Sequence, residues 1–250
     1  MIFKSEGLLM YAFEPIVQAK ATEEVLAQLK EAILRGVYKE GDKLPSEREM
    51  TEQFNVSRGV VREAIRALQV TGFIEKRQGP LGGSFVKEIT FGLLHTGFSD
   101  LYFSDKLTIS EVVQVRQLIE PEIARLAALN INDSYREKLT KALQEERHPH
   151  VSEDDLMKKL TVIHFILAEM CNNRLFQGLI TAIISLNRRI IRAKLQDLLS
   201  LHEAGEHDEV VEAVMAGDPE AAREAMARHS QAFGNKMILQ LEKKSSATDA

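Results

Sequence analysis

Residues 45–68 place the strongest constraint on the fold, because they describe two short helices separated by a tight turn. Ser46 is a favourable helix N-cap, and Glu49 follows it at the three-residue spacing of a reciprocal capping box. Asn55 tolerates the backbone conformation of a turn, and Ser57 is suited to capping the next helix. The segment therefore predicts a helix-turn-helix.

The second of these helices has two faces of opposite character. Its apolar residues recur at the spacing of a buried helical stripe, and they are Val60, Val61, Ala64, Ile65 and Leu68. Arg58, Arg62 and Arg66 recur every fourth residue and therefore line up on the other side. Arginine pairs bidentately with guanine or phosphate, and a capped helix N-terminus directs free amides at a phosphate. We predict a helix that enters the DNA major groove; the alternative is a surface helix with solvated arginines.

These residues also carry a resemblance to a known family. The run LPSEREMTEQFNVSRGVVREAIRAL closely resembles the signature of GntR-family bacterial transcription regulators, and the likeness extends over about residues 13–87. The resemblance implies a winged helix-turn-helix. The residues that it assigns to DNA contact are Arg48, Arg58, Arg62, Gly82 and Gly83. The predicted DNA-binding set also includes the capping Ser57 and the third arginine of the row, Arg66.

A hairpin is predicted directly after the helix-turn-helix. Residues 73–76 and 84–87 are short strand candidates that flank a loop rich in glycine and proline, residues 77–83. The resemblance implies that this hairpin is a wing that reaches the minor groove, whereas the alternative is a plain surface hairpin. Because it follows the helix-turn-helix directly, we favour the wing.

The chain of 250 residues is long enough for two hydrophobic cores. Its net charge of −5 is unevenly distributed: residues 1–87 contain 13 basic and 12 acidic residues, and the remainder contains 19 and 25. The N-terminal part is therefore nearly neutral, which predicts modest non-specific DNA affinity, because phosphate neutralisation supplies most of that affinity.

The sequence indicates a cytoplasmic protein that does not cross a membrane. The longest apolar runs are much shorter than a membrane span, and the N-terminus lacks the pattern of a signal peptide. Cys171 is the single cysteine, so no intrachain disulfide is possible, and a reducing compartment fits.

The predicted fold is mainly α, a winged helix-turn-helix followed by an all-α bundle. The predicted segments are a mobile leader at 1–15, the DNA-binding domain at 16–87, a partly helical connector at 88–107, the helical domain at 108–242 and a tail at 243–250. Apolar periodicity and helix-breaking residues place helices in the bundle at 109–130, 133–147, 153–171, 173–200, 203–216 and 219–242.

Three of the seven histidines fall on apolar faces of these predicted helices, namely His164, His207 and His229. We therefore expect all three to point into the bundle interior. A single inward histidine is usually a core residue bonded to a neighbour. Three in one bundle favour a shared site more strongly, because neutral imidazole is a common metal ligand. Periodicity alone leaves both interpretations open.

The bundle carries a second resemblance. EVVQVRQLIEPEIARLAAL, IHFILAEMCNNRLF and HDEVVEAVMAGDPEAAREAMARH are similar to the helical effector domain of the FadR-type subfamily. The resemblance implies a divalent metal (Zn, Ni or Mn) held by His164, His207, His229 and an aspartate one turn before His164. That position is Leu160 here, so the charge that would neutralise the ion is missing. Three histidines can still hold zinc; a metal-free cavity for an organic ligand is the alternative.

The resemblance also assigns effector contacts to Arg116 and Asn173. Arg116 lies four residues before Glu120, so a salt bridge within one helix is the alternative to a clamp on a carboxylate effector. The residues themselves do not distinguish these two roles.

Together these features predict a ligand-responsive transcription regulator, a repressor that binds a palindromic operator as a homodimer. Its small-molecule effector would be an organic acid or acyl compound bound in the bundle. The alternative from another class is a metal-dependent hydrolase built on His164, His207 and His229. That alternative needs a general base, and the sequence pattern places no inward carboxylate in that role. We therefore predict that the protein is not an enzyme.

Overall fold

The computed structural model describes residues 2–5, 8–11, 19–149, 152–195 and 205–248. The chain divides into two compact units, Met1–Thr90 and Phe91–Ala250. Each unit contains buried hydrophobic clusters of its own.

The N-terminal unit is a helix-turn-helix with a two-stranded wing. Its elements are β1 (Ile2–Ser5), β2 (Leu8–Tyr11), α1 (Ala19–Leu34), α2 (Glu47–Phe54), α3 (Arg58–Val70), β3 (Ile74–Arg77) and β4 (Gly83–Val86). β1 pairs with β2 and β3 pairs with β4, both antiparallel. In the wing, Ile74 lies opposite Val86 and Arg77 opposite Gly83.

The turn between α2 and α3 is fixed by hydrogen bonds that the sequence predicts. The Ser46 N–H donates to Glu49 Oε2 at 2.7 Å, and the Glu49 N–H donates to Ser46 Oγ at 3.2 Å, which completes the capping box. Asn55 adopts the left-handed conformation with φ 50°, and the Val60 N–H donates to Ser57 Oγ at 3.4 Å. The predicted helix-turn-helix is confirmed.

The core of this unit forms where α1, α3 and the wing meet. α1 contributes Val25, Leu29 and Ile33, and α3 contributes its whole apolar stripe, Val60, Val61, Ala64, Ile65 and Leu68. Leu44, Met50, Phe73, Ile74 and Val86 complete the cluster. Burial of one face of α3 leaves its opposite face to solvent.

The C-terminal unit is entirely helical over its described residues. Its elements are α4 (Gly92–Phe103), α5 (Ile109–Leu129), α6 (Asp133–Arg147), α7 (Glu153–Met170), α8 (Arg174–Lys194), α9 (Asp208–Ala216) and α10 (Pro219–Thr248). α10 packs along α5 and α9, and α7 packs against α5, α6 and α8. Among the described helices, none has the length and apolar character needed to cross a membrane. The predicted fold class is therefore confirmed.

The structure differs from the predicted ranges at four places. The helix predicted over 203–216 begins at Asp208, because residues 205–207 form a turn. The range 1–15, predicted as a mobile leader, contains the paired strands β1 and β2, which the sequence does not predict, because neither segment alternates between apolar and polar residues in the manner of a strand. The range 243–250, predicted as a tail, is helical through Thr248, because no glycine or proline ends α10 before it. The helix predicted over 173–200 ends at Lys194, where Leu195 becomes extended. The parts of the predicted helices that fall at 196–204 lie outside the described residues.

Replacing Ile65 with alanine should destabilise the N-terminal unit strongly. Ile65 is completely buried in the core, so truncation should lower the free energy of unfolding by about 2–5 kcal/mol. Hydrogen exchange of α1 and α3 amides in the full-length protein measures this loss. The control is Val70→Ala on the same helix, where the side chain is 73% exposed and a change within about 0.5 kcal/mol is expected. Equal protection in both variants would contradict the assigned core.

Candidate nucleic-acid interface and histidine site

The exposed face of α3 presents the predicted arginine row. Arg58, Arg62 and Arg66 are all exposed on the face opposite the buried stripe. An open groove runs beside this face, and its lining includes Ser57, Gly59, Arg62, Arg66 and Lys76. The structure therefore brings four of the predicted DNA-binding residues, Ser57 and the three arginines, onto one helix surface.

Glu47 connects α3 to the wing through two contacts that were not predicted from the sequence. Its carboxylate accepts hydrogen bonds from Arg62 Nε at 3.4 Å and from Lys76 Nζ at 3.2 Å. Burial raises the pKa of Glu47, but Lys76 and Arg62 outweigh it and lower the pKa overall. Because these side chains are largely exposed, the pairs contribute little stability; they orient Arg62 and Lys76.

The two predicted wing glycines are required by close packing. A Cβ at Gly82 would lie 2.4 Å from the Arg77 carbonyl oxygen, which is too close for any side chain. Gly83 has φ +150°, and a Cβ there would lie 2.6 Å from Lys43 Cε. The remaining predicted contact, Arg48, is exposed on α2, where it pairs with Glu52 at 3.2 Å.

The three predicted histidines converge in the interior of the C-terminal unit. His164 comes from α7, His207 directly precedes α9, and His229 comes from α10. All three are buried, as their helical periodicity predicts, and each offers a ring nitrogen within 4.8 Å of the other two. The Nε2 atoms of His164 and His207 are 3.1 Å apart.

Two buried carboxylates lie close to the Nδ1 atoms of two of these imidazoles. Glu146 Oε2 lies 2.8 Å from His207 Nδ1, and Glu120 Oε1 lies 3.0 Å from His164 Nδ1. Neither of these contacts with a histidine was predicted from the sequence. A signal was present in the sequence, because Glu146 follows the buried Leu139 and Ala142 at helical spacing and shares their face.

A carboxylate next to Nδ1 determines whether Nε2 carries a proton or a lone pair. When Nδ1–H points at a carboxylate, a neutral imidazole keeps its lone pair on Nε2, which is the orientation found in histidine metal ligands. Burial lowers the pKa of His164 to about 4 against the attraction of Glu120, so this ring is neutral at pH 7. The two Nε2 atoms, 3.1 Å apart, share a hydrogen bond when one ring carries its proton on Nε2, and both present lone pairs to a cation when both rings carry it on Nδ1.

The donor set of the histidine site fits a divalent metal. Two nitrogens that each lie about 2.0–2.1 Å from one tetrahedral zinc are roughly 3.3 Å apart, close to the 3.1 Å between His164 and His207. Neutral imidazoles suit zinc and nickel. The three buried histidines could therefore bind one divalent ion. Leu160, one turn before His164, is buried and cannot be a ligand.

Arg116 is buried and makes the salt bridge that was the alternative to an effector contact. Its Nη2 lies 3.0 Å from Glu120 Oε1, and its guanidinium stacks on the Phe233 ring at 4.5 Å. Burial raises the pKa of Glu120, but the charge of Arg116 and the contact with His164 lower it to about 2. Glu120 is therefore ionised and already paired with a cation.

A small cavity of about 30 Å³ lies beside this ion pair. Its polar lining consists of Arg116, Thr161, His164, Asn187 and Arg188, and Leu160 belongs to its apolar lining. Asn187 is buried, and neither its amide nitrogen nor its amide oxygen has a hydrogen-bond partner among the described residues. Sequence analysis missed Asn187, although an asparagine inside the apolar run IISLN was a usable signal.

Asn173, the second predicted effector contact, lies elsewhere. It is the exposed N-cap of α8, where its side-chain oxygen accepts hydrogen bonds from the Leu175 and Phe176 N–H groups at 3.0 and 3.2 Å. Asn173 does not line the cavity that contains Arg116. Its observed role is to start a helix.

Comparison with known proteins assigns both units. Residues 21–86 match the family model for bacterial regulatory proteins of the gntR family, and residues 111–232 match the FCD domain. The chain is 31% identical to the HTH-type transcriptional regulator LutR of Bacillus subtilis, over 79% of this chain and 92% of that protein. It is 28% identical to the HTH-type transcriptional repressor NanR of Cronobacter sakazakii, over 92% of this chain and 91% of that protein.

A solved structure supports the same assignment. The structure of Streptococcus agalactiae GntR superposes with a TM-score of 0.64 at 28% identity. The match covers 86% of this chain and 99% of that one.

Proposed function

Because the chain belongs to the GntR family of bacterial regulatory proteins and is a transcription regulator rather than an enzyme, we propose that it represses transcription from a palindromic operator. It acts as a homodimer of the FadR-type subfamily and responds to a small organic acid bound in its helical unit. The observation that carries this proposal is the exposed arginine face of α3 beside a glycine-tipped wing. A relative named as a repressor supports the sign of regulation.

The residues of the N-terminal unit have distinct roles in operator binding. Arg58 and Arg62 lie within the first two turns of α3, where they reach base edges or phosphates in the major groove, and Ser57 caps the helix end. Arg66, one turn further along, and Arg48 on α2 contact the flanking phosphates. Gly82 and Gly83 let the wing backbone approach the minor groove closely.

Replacing Arg58 or Arg62 with alanine should weaken specific binding. Each bidentate contact contributes about 1–3 kcal/mol, or roughly 5- to 150-fold in affinity. Fluorescence anisotropy at physiological salt measures this loss, on an operator selected from random duplex DNA by the wild-type protein. Arg35→Ala is the control, because this exposed arginine of the same unit pairs only locally, with Glu31. Wild-type affinity in either recognition-helix variant would exclude the assignment.

An exposed apolar stripe on α5 supports dimerisation. Val115, Leu118 and Leu129 recur at helical spacing and are 41%, 77% and 57% exposed. Glu122 and Arg125 lie on the same stripe and form a salt bridge with each other at 2.7 Å. An apolar stripe of this kind on a long helix is suited to pairing with a second copy.

Leu118→Lys should therefore weaken the homodimer, because it places a charge at the most exposed apolar position of the stripe. We expect a shift toward monomer in analytical ultracentrifugation and a parallel loss of operator affinity. The matched control is Val37→Lys, which changes an equally exposed apolar residue in the N-terminal unit (68% exposed). A Leu118→Lys protein that remains dimeric at the same concentrations would refute the role of this face.

The cavity beside Arg116 supports an acidic effector. Its volume of about 30 Å³ is room for about two water molecules, which is the size of one carboxylate group. Arg188 in its lining favours an anion, and the buried Nε of Arg116 has no hydrogen-bond partner among the described residues, although the charge of Arg116 is paired with Glu120. An unpaired buried amide costs about 1–3 kcal/mol, and a ligand oxygen at Asn187 would remove that cost. A ligand that binds two arrangements of the dimer with different affinity shifts their populations.

Asn187→Leu should abolish stabilisation by small acids, because leucine keeps the volume but provides no hydrogen bond. The measurement is the thermal shift of the full-length protein in acetate, succinate and citrate, each compared with chloride at equal ionic strength. Gln177→Leu, an exposed amide on the same helix, serves as control and should retain the shift. If the acids stabilise both variants equally, the cavity is not the acid site.

We also propose that the histidine site binds one divalent ion, with zinc as the first candidate and nickel or manganese as alternatives. His164, His207 and His229 would hold it. When bound, such an ion offers an open coordination position to an oxygen of the effector. His164 also lines the cavity of Arg116 and Asn187, so the ion and the acid would be neighbours.

A further inference from the structure

We propose that Glu146 supplies, from behind His207, the negative charge that a divalent ion at the histidine site requires. This inference rests on the metal site proposed above. It assigns Glu146 as a positioning residue that orients His207 and offsets one of the two positive charges of the ion without contacting it.

The three histidine ligands carry no negative charge that could offset the charge of the ion. His164, His207 and His229 are neutral donors, and Leu160 lies one turn before His164 on the same helix with 5% exposure. A doubly charged ion held only by these three groups would retain its full charge in an apolar interior, which is strongly unfavourable. Compensating charge must therefore come from beyond the ligands.

The two carboxylates near the imidazoles differ in whether a cationic side chain already balances their charge. Glu120 is paired with the guanidinium of Arg116 at 3.0 Å, so its charge is already balanced. Glu146 differs, because no lysine or arginine pairs with it in the part of the chain that the structure describes. Its side chain is fully buried, and its second oxygen, Oε1, has no hydrogen-bond partner among those residues.

The direction of the contact between Glu146 and His207 supports the same conclusion. Glu146 Oε2 lies 2.8 Å from His207 Nδ1, which holds that nitrogen as the donor and turns Nε2 toward the other histidines. A carboxylate in this position raises the basicity of the ligand and stabilises the metal complex through the ring. A buried anion and a site that needs negative charge are thus joined by one imidazole.

The experiment compares metal binding by full-length variants after removal of bound metal. Zinc affinity is measured by competition with a chromophoric chelator, and the visible absorption spectrum of the cobalt(II) form reports the geometry of the site. Glu146→Gln keeps a hydrogen-bond acceptor and removes the charge. We expect its zinc Kd to rise about 10- to 100-fold and its cobalt spectrum to change.

Three further variants make the test specific. Glu145→Gln is the matched control, because Glu145 is the exposed neighbour on the same helix and its loss should leave the Kd unchanged. Adding Leu160→Asp to Glu146→Gln returns a carboxylate to the site, and we expect it to recover most of the lost affinity. Leu160→Asp is also measured alone, because it adds a fourth ligand in any case: a gain in affinity that is larger in the Glu146→Gln background supports a charge role for Glu146, and an equal gain indicates a purely structural role.

Several outcomes would overturn the inference. Wild-type zinc affinity in Glu146→Gln would show that the carboxylate only hydrogen-bonds His207. A metal-free wild-type protein that binds neither zinc nor cobalt would remove the metal site, while operator binding and the acid-induced thermal shift still test the regulator. If Glu146→Gln does not fold, Glu146→Asp decides, because it withdraws the carboxylate from His207: weaker zinc binding supports the inference and unchanged binding overturns it.

Discussion

Five polar side chains in successive contact cross the apolar interior of the C-terminal unit. Arg116 pairs with Glu120, Glu120 lies against His164, His164 faces His207, and His207 contacts Glu146, with separations between 2.8 and 3.1 Å. In a low-dielectric interior each of these groups needs its neighbour, because removing one leaves a buried charge or lone pair uncompensated. These side-chain contacts connect α5, α6, α7 and the start of α9, the same elements that contribute apolar residues to the surrounding core.

The N-terminal unit follows a different physical rule. Its geometry comes from local hydrogen bonds, the capping box of Ser46 and Glu49 and the cap at Ser57, and from one apolar stripe on α3. Once that stripe is buried, the arginines of α3 must face outward. The same pattern thus gives the unit both its core and its exposed arginine face, whereas the helical unit contains polar groups inside its core.

The predictable parts of this protein are those that depend on neighbours in sequence. The caps, the turn at Asn55 and the inward direction of His164, His207 and His229 all follow from spacing along one helix. The hairpin at β1 and β2 and the helical end of α10 were missed, because short strands have no period and helix ends lack strong signals. Glu146 and Asn187 were passed over, because a position on an apolar helix face indicates that a polar residue is buried but not which groups it contacts.

The sequence by itself determined a winged helix-turn-helix with an arginine face, an all-helical second unit and three inward histidines, because periodicity and capping act within a few residues. Only the tertiary structure decided that the histidines meet, that Glu120 and Glu146 stand behind them, and that Asn187 rather than Asn173 borders the cavity of Arg116. The reason is distance along the chain: Glu146 and His207 are 61 residues apart, and helix packing, which no local pattern encodes, brings them within hydrogen-bonding distance.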